Sequence, residues 1–75
     1  MTIEEIFSEM FKHNFKIKDI KEYTVCYPYA KFANDKGRVA IINCDFNEVK
    51  MYYEDGNLFR FTIESIDDMN KHIFS

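Results

Sequence analysis

The segment AKFANDKGRVAII, residues 30–42, decides the fold because a turn signal separates two runs of alternating side chains. Residues 35–37 can form a three-residue hairpin loop, with Gly37 in the left-handed conformation that other residues rarely adopt. This loop sets Phe32 opposite Ala40. The apolar residues of both strands then lie on one face of a hairpin, which we expect to be the core.

Two further turn signals extend this hairpin into a four-stranded meander. Phe46-Asn47 as a two-residue loop sets Ile42 opposite Met51. A loop of residues 55–57, whose last residue is left-handed, sets Met51 opposite Phe61. All three turns agree on one apolar face, as expected of a foldable sequence. The predicted core comprises Cys26, Ala30, Phe32, Ala40, Ile42, Cys44, Val49, Met51, Tyr53, Phe59, Phe61 and Ile63.

Apolar residues recur at helical spacing at both ends of the chain, over residues 2–13 and 65–74. Each segment starts with a capping box, in which a hydroxyl residue and an acid three positions later bind backbone amides of the first turn. These pairs are Thr2 with Glu5 and Ser65 with Asp68. Both segments are therefore predicted to be helices.

Residues 15–22 alternate like a strand at their start, and we interpret them as a partly extended connection. The sequence thus predicts one α+β domain over residues 1–75. Its two layers are an N-terminal helix and a C-terminal helix on one face of a four-stranded antiparallel meander.

The remaining strand residues form the outer face of the sheet, which no helix is left to cover. The predicted rows are Lys31, Ile41, Tyr52, Arg60 and Tyr29, Asn43, Lys50, Thr62, with three cations and no acid. Tyrosine and arginine combine large contact area with directional hydrogen bonds, as binding surfaces do. The candidate partner-binding residues are Tyr27, Tyr29, Lys31, Ile41, Lys50, Tyr52 and Arg60. The alternative is an ordinary solvated sheet face.

Two other surfaces also qualify as binding sites. The helical layer is acidic, and its candidate residues are Glu4, Glu5, Glu9, Glu64, Asp67 and Asp68, against Lys12 and Lys71. The last strand, residues 57–63, has no proline to protect its edge and can accept a strand from a second copy or from another protein. The alternative for this edge is that residues 15–22 cover it.

Composition and motifs exclude several classes of function. With 47% hydrophobic residues and few glycines or prolines, the chain is too apolar to be disordered. Its acidic start does not fit a signal peptide, and no apolar run could span a bilayer, so we expect a cytoplasmic protein without a membrane partner. Cys26 and Cys44 are expected to be buried structural thiols, while His13 and His72 lack metal-ligand spacing. We therefore expect no catalytic residues, no metal and no cofactor.

The leading hypothesis is a small non-enzymatic protein-binding module. The AT-rich codon imprint of the composition and the small size fit an inhibitor or modulator of a larger host or defence enzyme, carried by a phage or another mobile element. The alternative is a platform for single-stranded nucleic acid, in which Tyr29 and Tyr52 stack on bases and the cations follow the backbone. A third hypothesis is a homodimer that buries the outer face.

Overall fold

The computed structural model describes residues 1–21 and 28–75 and has two helices and one sheet. The elements in chain order are α1 (Ile3–Lys12), β1 (Lys16–Lys21), β2 (Tyr29–Ala33), β3 (Val39–Asn43), β4 (Glu48–Tyr52), β5 (Leu58–Thr62) and α2 (Ile66–His72). Neighbouring strands are antiparallel and follow the order β1-β2-β3-β4-β5. The predicted α+β fold of helix, meander and helix is confirmed, but the sheet has five strands rather than four.

The additional strand is β1, which sequence reasoning treated as a connection. It pairs with β2, with Ile17 opposite Phe32 and Ile20 opposite Ala30. The register shifts between Ile17 and Asp19, in a β-bulge. The segment alternates like a strand only at its start, because the bulge interrupts the two-residue period after Ile17, and it was therefore interpreted as a partly extended connection.

The hairpin of β2 and β3 has the predicted register, with Phe32 opposite Ala40. Gly37 has a φ of 90°, in the left-handed region. The Asn34 side chain also supports the turn, because its Oδ1 accepts hydrogen bonds from the amides of Lys36 and Arg38 at 3.1 and 2.9 Å. Turn chemistry alone was therefore sufficient to fix this pairing.

The other two hairpins are shifted by two residues from the prediction. Met51 lies opposite Ala40 and Phe59, rather than opposite Ile42 and Phe61. The loop between β3 and β4 is longer than expected, whereas the last loop keeps three residues, 54–56, because the Tyr53 amide donates to the Asn57 oxygen at 3.0 Å. Residues 44–47 connect β3 to β4, and the left-handed residue of the last loop is glycine 56, with a φ of 88°, rather than asparagine 57. Because side chains alternate with a period of two, a shift of two preserves the faces.

The core lies between the inner face of the sheet and both helices. Ile6 and Met10 of α1 and Met69 and Ile73 near α2 are fully buried. The buried sheet residues are Ala30, Phe32, Ala40, Ile42, Val49, Met51 and Ile63. The ring of Phe7 meets the Phe32 ring edge-on, with centroids 5.0 Å apart. The predicted inner face is therefore the observed one.

Some predicted core residues are less buried than expected. Cys44, Tyr53 and Phe61 are partly buried, and Phe59 is 42% exposed. Phe59 lies on β5, which has a neighbouring strand on one side only among the described residues. Cys26 lies outside the described residues, so its predicted burial is untested.

Both helices start at the predicted capping boxes. The Thr2 hydroxyl accepts a hydrogen bond from the Glu5 amide, and the Glu5 carboxylate accepts one from the Thr2 amide, at 3.2 and 3.0 Å. The Asp68 carboxylate accepts the amides of Glu64 and Ser65 at 2.8 and 3.1 Å. The second helix ends at His72 rather than at residue 74.

Candidate functional site

A row of four side-chain positions crosses the outer face from β2 to β5. Lys31 lies opposite Ile41, Ile41 opposite Lys50, and Lys50 opposite Arg60. The predicted row contained Tyr52 in place of Lys50, and the two-residue shift corrects this. Tyr52 lies one row away, between Val39 and Leu58. The three predicted cations are therefore collected in a single row.

Lys50 and Arg60 form a like-charge pair on adjacent strands. Residues directly opposite each other in an antiparallel pair have β-carbons about 5 Å apart, and like charges there are destabilising. Neither side chain forms a salt bridge within residues 1–21 and 28–75. The nearest acid by register is Glu48, which lies opposite Thr62 in the neighbouring row.

The strand that sequence reasoning missed adds further positive charge. Lys16 lies opposite Ala33 on the outer face, and Lys18 is at the bulge; both side chains are exposed. The backbone register sets Asp19 opposite Lys31. Among the described side chains of the outer face, the cations Lys16, Lys31, Lys50 and Arg60 outnumber the acid Glu48. The alternation at the start of residues 15–22 was a signal for this strand, but the segment was interpreted as a connection.

Apolar side chains accompany the charges on this face. Tyr52 is 38% and Leu58 47% exposed, while Ile41 and Tyr29 are half-buried. The helices pack on the opposite face, where they contribute to the core. Tyr27 lies outside the described residues. The other predicted partner-binding residues are all at outer-face positions, and this face has a mixed apolar and basic character.

The acidic helical surface is partly committed to the fold. Glu5 and Asp68 cap the two helices, and the amides that they accept hold the pKa of both carboxyls below the usual value. Glu9 is half-buried and forms a salt bridge with Lys12 at 3.3 Å. The other three predicted acids, Glu4, Glu64 and Asp67, are exposed. Glu4 lies on α1, whereas Glu64 and Asp67 lie around the start of α2, so this surface offers fewer free carboxylates than the sequence suggested.

Arg38 is an interaction centre that the sequence analysis overlooked. Its Nε and Nη2 donate to the two carboxylate oxygens of Glu54, each at 3.1 Å. Its Nη1 donates to the backbone oxygens of Ile73 and Ser75 at 3.0 and 2.7 Å. The guanidinium also lies 4.8 Å from the Tyr53 ring centroid, and the side chain is 16% exposed. This arginine ties the hairpin ends to the segment after α2.

An open cleft of about 330 Å³ lies beside this arginine. One wall is formed by His13, whose ring stacks on Phe74 with centroids 3.6 Å apart. The Nδ1 of His13 lies 3.0 Å from the backbone oxygen of Glu9. Because Arg38 and His13 already contact protein groups, the cleft is lined mainly by side chains that stabilise the junction of the helices and the sheet.

The thiol at Cys44 is not activated. Its pKa is raised first by burial and then by the neighbouring Asp45 carboxylate. A thiolate nucleophile requires the opposite, a cation or a helix N-terminus that lowers the pKa. Within the described part of the chain, no group of three or more His, Cys, Asp or Glu side chains is placed to hold a metal ion.

Comparison of the chain with protein-family models, with curated proteins and with solved structures finds no match. Among the described residues, neither helix has the length and apolar character needed to cross a membrane.

Proposed function

We propose that this chain is a non-enzymatic protein-binding module of the cytoplasm that docks the outer face of its sheet onto an acidic surface of a larger protein. The observation that carries the proposal is the Lys50–Arg60 pair, which lies cross-strand with no acid bound to it among the described residues. Like charges opposite each other cost folding free energy. Proteins commonly retain such local costs where function requires them.

The apolar residues of the same face support protein binding. A typical interface has an apolar centre with arginine and tyrosine enriched among its contacts. Ile41 lies between Lys31 and Lys50 in the cation row, and Tyr52 and Leu58 follow in the next row. A partner that presents carboxylates around an apolar patch would match this arrangement.

The charge distribution supports a defined orientation of binding. The chain has a formal net charge of −3, yet its cations are concentrated on one face of the sheet and exposed acids lie on the helical layer. Such a polarised surface steers association and suppresses the wrong orientation, with an effect that salt reduces. An acidic partner surface would attract the sheet and repel the helices.

The more specific proposal is an inhibitor or modulator of a larger host or defence enzyme, carried by a phage or another mobile element. Its support is the small size and the codon imprint of the composition. Docking of a rigid sheet face can occlude an active site without any chemistry of its own, which is sufficient for such a role.

Affinity capture from a nuclease-treated lysate tests the proposal. The immobilised chain is compared with a Lys31→Glu/Lys50→Glu variant and with a matched charge reversal of the helical layer, Glu4→Lys/Asp67→Lys. We expect one defined protein to be retained by the wild type and by the helical variant, and lost from the sheet variant. Retention by all three, or loss only from the helical variant, would contradict docking through the sheet.

A second candidate is single-stranded nucleic acid, favoured by the positions of the two tyrosines. Tyr29 and Tyr52 lie in the rows on either side of the cation row. Aromatic rings beside a basic track are typical of single-strand binding, where each stacked base contributes about 1–3 kcal/mol.

Fluorescence anisotropy of a labelled twelve-residue oligothymidylate separates this candidate from the first. Nucleic-acid binding requires affinity that falls steeply with salt and that Tyr52→Ala weakens by about tenfold or more. Absence of oligothymidylate binding at low salt would contradict the nucleic-acid hypothesis and favour a protein partner.

A further inference from the structure

Strand β5 is the last strand of the sheet and forms one of its two edges. It pairs with β4 on one side, and no other described strand pairs with its second side. The alternative that residues 15–22 cover this edge is wrong, because β1 occupies the opposite edge of the sheet, beside β2. Within residues 1–21 and 28–75, the last strand therefore has a free row of backbone groups.

Two hydrogen bonds identify the backbone groups that face outward. The Tyr53 amide donates to the Asn57 oxygen at 3.0 Å, and the Ile63 amide donates to the Asn47 oxygen at 2.9 Å. Bonded positions alternate along an antiparallel ladder, so the odd-numbered residues of β5 face β4. The amides and carbonyls of the even-numbered residues, Leu58, Arg60 and Thr62, therefore point to the free edge.

The side chains around this edge define what can lie beside it. Arg60 is on the outer face, opposite another cation, and it is exposed. On the inner face, Phe59 is 42% exposed and Phe61 is half-buried, and both rings lie within 4.8 Å of the His72 ring, centroid to centroid. A neighbouring strand would bury the exposed part of Phe59 and bring a side chain next to Arg60.

We propose that β5 binds an extended segment of a partner protein as an additional antiparallel strand, with an acidic residue opposite Arg60 and apolar residues on either side of it. The acid would relieve the like-charge pair of Lys50 and Arg60, and the two apolar residues would cover Phe59 and Phe61. Strand addition of this kind obtains affinity from backbone hydrogen bonds and specificity from alternate side chains.

A second copy of the chain fits this edge less well than an acidic segment. Pairing β5 with itself in the register that matches Leu58 to Thr62 sets Arg60 opposite the Arg60 of the copy. This extends a row that already holds Lys31, Lys50 and Arg60 by a further cation, directly opposite Arg60. Like charges directly opposite each other are destabilising in antiparallel pairs.

A blocked peptide with the sequence Thr-Val-Thr-Val-Glu-Val-Thr-Val-Thr tests the proposal, with affinity and location read from amide shifts in NMR spectra. We expect the largest shifts at Leu58, Arg60 and Thr62, and affinity about threefold or more above that of the same peptide with Lys for Glu. Arg60→Glu should reverse this preference. Equal affinities of the two peptides for the wild type would overturn the charge assignment.

Backbone methylation separates strand addition from docking on a face. Methylation of the Glu amide removes a hydrogen bond to the Arg60 carbonyl and should abolish binding, whereas methylation of a neighbouring Val amide should not. In the protein, Leu58→Pro removes an edge donor without affecting the bonds to β4, and Leu58→Ala is its control. Binding that survives both Glu methylation and Leu58→Pro would overturn the proposal.

Two measurements distinguish peptide binding at the β5 edge from docking on the outer face and from dimerisation. Lys31→Glu changes the outer face on β2, three strands away from β5, and we expect it to leave peptide affinity within about twofold. Sedimentation of the free protein should give the mass of a monomer. A dimer that Leu58→Pro dissociates would assign this edge to a second copy and overturn the proposal.

Discussion

The two faces of the sheet are built from the same strands but differ in what they contribute. Ile41 and Ile42 are neighbours on β3; Ile42 is 0% exposed and belongs to the core, whereas Ile41 is half-buried within the cation row. On the inner face, apolar side chains pack against one another and against the two helices. The outer face tolerates a cross-strand pair of like charges. The comparison indicates that the inner face contributes more to stability than the outer face does.

The largest effect is expected from the same substitution on the two faces. Ile42→Ala leaves a cavity in the core and should reduce the free energy of unfolding by about 2–5 kcal/mol. Ile41→Ala removes a half-covered side chain and should cost about 1 kcal/mol or less. Urea denaturation of the two variants measures the difference. Equal losses would show that the outer face is as important for folding as the inner one.

A second comparison uses the two arginines. Arg38→Met breaks the hydrogen bonds to Glu54, Ile73 and Ser75 and should reduce the free energy of unfolding by about 1–2 kcal/mol. Arg60→Met, on the outer face, should change it by less than about 0.5 kcal/mol.

The same denaturation series checks the arginine comparison. If Arg60→Met is the more destabilising substitution, then the outer-face charges are part of the folding energy and the assignment of the two faces is wrong.

Acid should weaken the helical layer. The pKa values of Glu5, Asp68 and Glu54 lie below their ordinary values of 4.5, 3.8 and 4.5. The first cause for the two capping residues is a backbone hydrogen bond, and for Glu54 it is the hydrogen bond from Arg38. A lowered native pKa gives stability that is present above the unfolded value and lost as the pH falls through the native one.

Thermal unfolding between pH 6 and pH 2 measures this effect. The melting temperature should fall below about pH 4.5, where the unfolded carboxyls begin to bind protons. A Glu5→Gln/Asp68→Asn variant should melt lower at pH 6 and depend less on pH below 4.5. If the melting temperature of this variant depends on pH as strongly as that of the wild type, then the capping carboxylates are not the source of the acid sensitivity.

The smallest effect is expected to have the opposite sign. Lys50→Glu replaces the like-charge pair with an ion pair across β4 and β5, so the free energy of unfolding should increase by about 0.2–1 kcal/mol. Added salt should reduce the gain, because exposed charges are screened. Lys50→Gln is the control and should give part of the gain. A destabilised Lys50→Glu variant would show that Lys50 has a stabilising role in the free protein.

Much of this fold could be predicted from local chemistry. Gly37 and the capping boxes determine their turns and helix starts through contacts within a few residues. The errors arose where tertiary packing decided between similar loops, as at Asn47, whose left-handed φ of 55° allows a longer turn. The strand β1 was missed because its bulge breaks the two-residue period.

The sequence predicted which residues lie on the outer face more accurately than which of them lie opposite each other. A register error of two residues keeps every side chain on its face, so Lys31, Lys50 and Arg60 were assigned correctly to the outer face. The same error separated Lys50 from Arg60 and concealed their like-charge pair. The hydrogen bonds of Arg38 reach backbone oxygens more than thirty residues away in sequence, those of Ile73 and Ser75. No pattern in the neighbouring sequence predicts these contacts.

The most direct test measures folding and binding on one variant. For Lys31→Glu/Lys50→Glu, the free energy of unfolding and the retention of the captured partner are determined side by side with the wild type. We predict that retention falls by about tenfold or more while the free energy of unfolding is unchanged or higher. Undiminished retention, or a loss of binding that accompanies a loss of stability, would contradict the assignment of the outer face to binding.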